Sequence, residues 1–484
     1  RGGSVPCGCS RRTFLASAGA AVLSHALLNP AFAQDGGAAE KTLTPMGPGS
    51  KYTPRMKAAF VRRKGEYGLR WPGQIYDGEA ARQNYTAQIA ETARGLGMDV
   101  EIRPEPIYSI EEGAQWIAEV EAAKADGLLL VVLDRQEHAW PTATLAVDSP
   151  VPAVIFSPIG TSFTTNTAPL ADKTGAVIFS TDDFGQVAMG MKMVKAGAKL
   201  REARIVVIKG TERKDDEMLY FGTKLRYVPA KTFLDVYQQL AVTPEIEALA
   251  QQYIAQAQSV AGPSPQDVIN GVKSFAVARQ LLEQEEGDAI TMDCLGALGK
   301  TDVSLPCIAW SHMLDRGIPA ACEADLGACL THALVQYLFD RPGFQQDPVA
   351  DTAHDTLIGA HCTCPTRLNG FNEPPEPYRL SYHHGKRDAV PVPHWREGQR
   401  VTIADILPSN DPAVPPQMIV STGTVAENIS VPPAGGCVVS VGVKVDNPDN
   451  LLAYPGFHQV FFYGDFKKEL RDYCRLYGIP VQLA

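Results

Sequence analysis

The sequence predicts an α/β chain: two α/β units in succession, then a C-terminal region of antiparallel strands closed as a barrel or sandwich. Three observations carry this. Short apolar strands alternate with helical segments from residue 55 to residue 300. Some of those strands, Gly127-Leu-Leu-Leu-Val-Val-Leu133 above all, are apolar throughout, as strands covered on both faces of a parallel sheet are. From Pro365 the texture changes to short strands separated by Pro, Gly and Asn, the pattern of antiparallel pairing.

In order, Met56–Val61 is the first strand expected, followed by a helix near 78–96, the strand Asp99–Ile102, a helix near 110–125, Gly127–Leu133 and Pro152–Phe156. These make a first α/β unit over 55–170. Gly175–Phe179, the helix Phe184–Ala198 and Ala203–Lys209 repeat the pattern. A mixed segment around Thr232–Asp235, helices over Pro244–Ala257 and Ser264–Glu286, and the strand Asp288–Asp293 complete a second unit over 171–300. Gly210 follows a strand, but no GxGxxG or Walker pattern accompanies it, which argues against a nucleotide site. In the third region, 301–484, the expected strands are Tyr378–Tyr382, Arg400–Ala404, Gln417–Thr422, Cys437–Val443 and the run from Phe457 to Asp465. A helix over Phe466–Leu476 and a terminal strand follow.

The beginning of the chain reads as an export signal. Ser10-Arg11-Arg12-Thr13-Phe14-Leu15 is a twin-arginine signature, Ala16–Leu28 is an apolar run too short to span a bilayer easily, and Ala31-Phe32-Ala33 is a cleavage signal. Residues 1–33 are therefore expected to direct the protein to the periplasm and to leave no stable membrane span, and 34–54, rich in Gly, Ala and Pro, is expected to be a linker. Cleavage removes Arg1, Arg11 and Arg12 and no acid, so the formal charge of −10 becomes −13. That balance argues against nucleic acid and anionic membrane as partners. Hydrophobic content of 45% and charged content of 20% are those of a soluble globular protein.

The stretch Ile318–Pro365 holds the chemistry. Leu326, Leu330, Ala333, Leu334, Tyr337 and Leu338 recur at helical spacing with Asp325 as N-cap, and Arg341-Pro342-Gly343 ends the helix. Glu323 stands just before this helix, Asp347 just after it and His361 at the end of a strand-like run, so acidic groups flank a buried helix where hard cations find oxygen ligands. On the residues alone, Glu323 and Asp325 also read as ordinary acidic caps, Asp347, Asp351 and Asp355 as a solvated acidic face, and His361 and His458 as hydrogen-bonded core histidines. Asp293, at the carboxyl end of an apolar strand, is a candidate pocket residue. Trp310 and His312 either stack on a sugar or belong to the core, and His384 either reaches a ligand or lies in a surface loop.

Of eight cysteines outside the signal none forms a CxxC pair, and most sit in apolar surroundings as small core residues. His361-Cys362-Thr363-Cys364 has zinc-binding residue types, but a structural zinc site wants four ligands and no second pair stands at recognisable spacing.

Three segments resemble the L-fucose isomerase and L-arabinose isomerase superfamily. They are Glu323-Ala-Asp325 with Asp347 twenty-four residues on, Ile358-Gly-Ala-His361-Cys362, and His458-Gln-Val-Phe-Phe-Tyr-Gly-Asp followed by a helix and Gly478-Ile-Pro-Val. The resemblance implies two Rossmann-like domains followed by a β-barrel domain, a homo-oligomer, and a divalent cation, Mn²⁺ or another such as Zn²⁺, held by Glu323, Asp347 and His458. His361 is then a fourth ligand or a supporting group. It also implies an aldose–ketose isomerase working on a monosaccharide or small saccharide through a cis-enediol, with Glu323 and Asp347 as catalytic carboxylates; Asp293, Trp310, His312 and His384, read from the residues themselves, are the candidates for contacting that substrate. Metal-dependent glycoside hydrolysis at the same site is the alternative, since a carboxylate pair serves both reactions. Non-catalytic saccharide binding is the second alternative.

Overall fold

In the computed structural model the described residues are 47–69, 76–135, 137–383, 387–409, 411, 413–430 and 437–484. The expected signal, the linker up to residue 46 and His384 lie outside them. Gly47–Pro54, inside the expected linker, is tied down: Pro48–Lys51 forms one helical turn whose Gly49 and Ser50 N–H groups donate to the Asp288 carboxylate at 3.0 and 2.6 Å.

The first sheet is parallel. It contains β1 (Arg55–Val61) and, beyond a small hairpin of β2 (Gly68–Leu69) and β3 (Tyr76–Asp77), the strands β4 (Asp99–Ile102), β5 (Gly127–Val132), β6 (Ala153–Ser157) and β7 (Ala176–Ser180), in the order β4-β1-β5-β6-β7. The apolar run Gly127–Val132 is its middle strand and buried throughout, the covering on both faces that its composition requires. β7, which opens the second run in the sequence, completes this sheet by pairing with β6.

A second sheet is built from β8 (Arg204–Ile208), β9 (Lys214–Met218), β10 (Thr223–Val228), β12 (Ala289–Met292) and β13 (Ala320–Cys322), in the order β13-β12-β8-β10-β9. It is parallel except at one edge, where the charged strand β9 runs antiparallel to β10. Thr232–Asp235 lies inside the helix Ala230–Gln239, because Phe233 and Tyr237 are spaced to bury one helical face.

The C-terminal region holds an antiparallel barrel. β14 (Phe344–Asp351), β15 (Thr356–His361), β18 (Arg400–Leu407), β19 (Gln417–Asn428), β20 (Val439–Val445) and β21 (Gln459–Tyr463) follow one another as β18-β21-β14-β15-β20-β19, and a β18–β19 pairing closes the ring. The terminal strand β22 (Val481–Leu483) adds in parallel to β19. Tyr378–Tyr382 is not a barrel strand: β16 (Tyr378–His383) pairs with β17 (Arg387–Pro393) and with β11 (Val260–Ala261) in a separate small sheet. The helix Leu326–Phe339 packs between the second sheet and the barrel. It is buried on nearly every side, so its role is to join the two cores rather than to face solvent.

Candidate metal and ligand site

The site forms where the second sheet meets one end of the barrel. β13 delivers the chain to Glu323, and the next residues turn sharply: Glu323 and Ala324 take φ of +62° and +55° before Asp325 begins the helix. Two contacts hold the turn. Ala324 N–H donates to the Met292 carbonyl at 2.9 Å, and the Gln345 side chain accepts from Cys322 N–H at 2.8 Å, clamping β13 to β14. Left-handed backbone at two successive non-glycine residues costs free energy that the surroundings must supply, and such strain concentrates at binding sites.

The barrel brings in the other side chains. Gln346 on β14 is paired with Gln459 on β21, and their side chains hydrogen-bond at 2.8 Å. One step further out stand Asp347 and His458. The β14–β21 pairing ends at Gln346↔Gln459, and from Asp347 on β14 pairs with β15 alone, so this is the end of the barrel at which Asp347 and His458 stand. Asp347 pairs with Ala360 on β15, which places His361 beside it.

His458 sits at the centre of the cluster and is 6% exposed. Its Nδ1 lies 2.8 Å from Asp325 Oδ2, and its Nε2 lies 3.2 Å from Asp347 Oδ1 and 3.6 Å from Glu323 Oε2. His361 is 1% exposed with its ring 5.7 Å from that of His458, and ligand atoms of Glu323, His361 and His458 all fall within 4.8 Å of one another. Burial pulls the His458 pKa down, but the carboxylates of Asp325 and Asp347 outweigh it and raise the value to about 10. Burial likewise opposes the charge on Asp325, yet the His458 ring and the Ala328 N–H together hold its pKa below the ordinary carboxylate value. Asp405 on β18 goes the other way, to about 6, through burial and the charge of Asp325.

Asp347 Oδ1 and His458 Nε2 are both buried, and their 3.2 Å contact is an ion pair outside hydrogen-bond geometry. They face each other with Glu323 alongside. Asp325 holding Nδ1 leaves Nε2 as the ligating nitrogen, the usual carboxylate support of a metal histidine. Two carboxylates and two imidazoles are a donor set for Mn²⁺ or Zn²⁺, so the residues fit a divalent cation.

The remaining predicted residues divide. Asp293 follows Met292 and caps the short helix Cys294–Leu298 by accepting from Gly296 N–H at 3.1 Å, close to the Glu323 turn. Trp310 and His312 are core residues of the helix Cys307–Leu314, 0% and 2% exposed, with His312 Nδ1 2.9 Å from the Tyr253 hydroxyl. Burial removes both from any open ligand surface. Asp351 bonds its neighbour His354 at 2.6 Å on a strand, not on a helical acidic face. Asp325 reads in the sequence as a helix cap within the Glu323-Ala-Asp325 segment, and its contact with His458 is not legible there, since residues 133 apart carry no local signal of meeting. Sequence reasoning also passed over Phe457, which is 59% exposed with its ring 4.7 Å from that of His458.

No protein-family model matches the chain, and no curated protein matches it. Among solved structures it is similar to an ABC transporter solute-binding protein from Burkholderia multivorans, whose unknown ligand was fitted as alpha-D-erythrofuranose. The identity is 12% over 60% of this chain and 95% of that one, with a TM-score of 0.19. AraP, an arabinose-binding protein from Geobacillus stearothermophilus, matches at 14% over 51% and 80%, with a TM-score of 0.18. The sugar-binding protein of a Bacillus halodurans sugar ABC transporter matches at 15% over 62% and 91%, also at 0.18. These are binding proteins and not isomerases. With no family model and no curated protein to support it, the membership in the L-fucose and L-arabinose isomerase superfamily is corrected, and with it the aldose–ketose isomerase activity and the glycoside hydrolase alternative. The physical reason is that three short segments with acid and histidine at set spacings describe a cluster of ligands, and a cluster of ligands does not specify a reaction.

Proposed function

We propose that this chain is an exported, non-catalytic saccharide-binding protein that holds a divalent cation, Mn²⁺ or Zn²⁺, between Glu323, Asp347, His458 and His361 and presents it to a monosaccharide or small saccharide. The observation that carries the reading is the convergence of Asp347 Oδ1 and Glu323 Oε2 on His458 Nε2, at 3.2 and 3.6 Å, with Asp347 Oδ1 and His458 Nε2 both buried. A cation bound by these atoms takes the place of the His458 proton and neutralises the carboxylates that face it. When bound, the cation offers open positions to vicinal hydroxyls. The exposed Phe457 ring beside His458 provides the apolar face on which a sugar ring stacks, and Glu323, 38% exposed at its side chain, accepts from a further hydroxyl. Export through the twin-arginine route, directed by Ser10–Leu15, fits a binding protein that meets its ligand outside the cytoplasm.

The test is calorimetry on the chain from Gln34 with Mn²⁺ and Zn²⁺, then with a panel of aldoses, ketoses and small saccharides, with and without a chelator. Binding of one cation, and of a sugar only when that cation is present, is the expected result. Sugar binding that persists unchanged after chelation and in Asp347→Asn removes the cation from the reading, and an absence of sugar binding across the panel removes the saccharide.

A further inference from the structure

Behind His361 lies a second group of metal-ligating side chains, all buried. Cys307 opens the helix Cys307–Leu314, Cys322 ends β13, Cys362 follows β15 and His383 ends β16. They come from four separate elements and are 3%, 3%, 6% and 2% exposed. Ligand atoms of Cys307, Cys362 and His383 lie within 4.8 Å of one another, and so do those of Cys322, Cys362 and His361. The Cys362 sulfur also lies 3.5 Å from His361 Nδ1. A register shift between Tyr382 and His383 breaks the β16–β17 ladder where the imidazole turns in, the place where a bulge re-aims a side chain.

The geometry points to a buried structural Zn²⁺ site formed by Cys307, Cys322, Cys362 and His383. Three sulfurs and one imidazole nitrogen are a donor set of closed structural zinc centres. Around a tetrahedral ion with Zn–S near 2.3 Å and Zn–N near 2.0 Å the ligand atoms stand about 3.5–3.8 Å apart; Cys307, Cys362 and His383 already lie within 4.8 Å of one another, and Cys322, within the same distance of Cys362, closes the fourth position. Binding exchanges three thiol protons, released to solvent, for three Zn–S bonds, with no change of oxidation state. The site ties the second sheet, through β13, to the barrel, through β15, and to the small sheet, through β16. It differs from the Glu323 site in chemistry: the sulfur donors select a thiophilic ion, whereas the outer cluster is half carboxylate.

The experiment is metal analysis of the full chain purified without chelator, followed by X-ray absorption at the zinc edge. One zinc per chain with a sulfur shell at about 2.3 Å is expected, and the sulfur shell distinguishes it from an ion at the outer site, which has oxygen and nitrogen neighbours only. Cys307→Ser and Cys362→Ser are expected to lower the zinc content at least tenfold, while Cys437→Ser, partly exposed and outside the group, retains it. Should the serine variants fail to fold, Cd²⁺ added to the wild-type chain keeps the question open to a direct answer, through sulfur-to-cadmium charge-transfer absorption at one equivalent. A zinc-incubated protein that shows no sulfur-bound metal, or a Cys307–Cys362 disulfide found by non-reducing mass spectrometry, overturns the assignment.

Discussion

Asp325 Oδ2 accepts from His458 Nδ1 at 2.8 Å while Asp325 Oδ1 accepts from Ala328 N–H, also at 2.8 Å, so one carboxylate both starts the Leu326–Phe339 helix and orients the central imidazole of the site. The two roles separate by substitution. Asn caps a helix as well as Asp does but brings no charge to the imidazole. Asp325→Asn is therefore expected to leave the thermal midpoint within a few degrees of wild type while weakening Mn²⁺ binding by about 10–100-fold. Asp325→Ala is expected to show the same loss plus about 1 kcal/mol of destabilisation. Calorimetry paired with thermal unfolding checks both, and equal cation affinity in Asn and wild type counts against the orienting role.

Ala324, at φ +55° in the turn, holds a conformation that L residues with a Cβ adopt only at a cost. Ala324→Gly relieves about 1 kcal/mol of strain, less the entropy that glycine adds to the unfolded chain. The expected outcome is a denaturation midpoint equal to wild type or up to about 1 kcal/mol higher, in contrast to the usual loss from Ala→Gly. A loss of more than about 1 kcal/mol in urea titration shows that the turn is not strained.

Phe457 separates ligand recognition from folding. Its ring is 59% exposed, so Phe457→Ala is expected to change stability by less than about 0.5 kcal/mol. Under the proposed function it lowers saccharide affinity by about 5–10-fold through lost stacking, with cation affinity unchanged. A sugar titration in saturating Mn²⁺ measures this, and an unchanged sugar affinity removes Phe457 from the ligand surface.

Asp315 gives a pH dependence remote from the site. Burial raises its pKa to about 6 against an ordinary 3.8, in spite of the Thr366 hydroxyl and the Thr366 and Arg367 N–H groups that it accepts from. A carboxyl whose folded pKa is raised adds stability that is fully present below about pH 4 and is lost as the pH climbs through 6. The difference is about 3 kcal/mol between pH 4 and pH 7. Asp315→Asn keeps the acceptor for both N–H groups and carries no charge. Its stability relative to wild type is expected to rise by about that amount over the same interval, read as urea midpoints at the two pH values, and parallel curves contradict the assignment.

Local pattern determined a good part of this protein. Apolar spacing and the Asp325 cap set the helix Leu326–Phe339, the unbroken apolar run set β5, and turn residues between short strands set β18, β19 and β20, because each of these signals is written in side chains a few positions apart. Glu323, Asp347 and His361 stood out around one buried helix, and His458 joined them only through the resemblance to segments of other chains. That resemblance carried a ligand cluster and not the activity attached to it. β14 escaped the pattern because Gln345-Gln346-Asp347-Pro348 lacks alternation, although it is the strand that carries Asp347.

Tertiary structure alone decided which of the chemistry-bearing residues meet. It turned Trp310 and His312 into core and placed Asp325 against a histidine 133 positions away. It also brought Cys307 and His383 to one side of Cys362 and Cys322 with His361 to another, contacts that His361-Cys362-Thr363-Cys364 does not announce along the chain. The physical reason is the same in each case. Sheet register and barrel closure are cooperative, long-range properties, and a ligand cluster needs groups within a few ångströms in space, a distance that separation along the sequence does not encode.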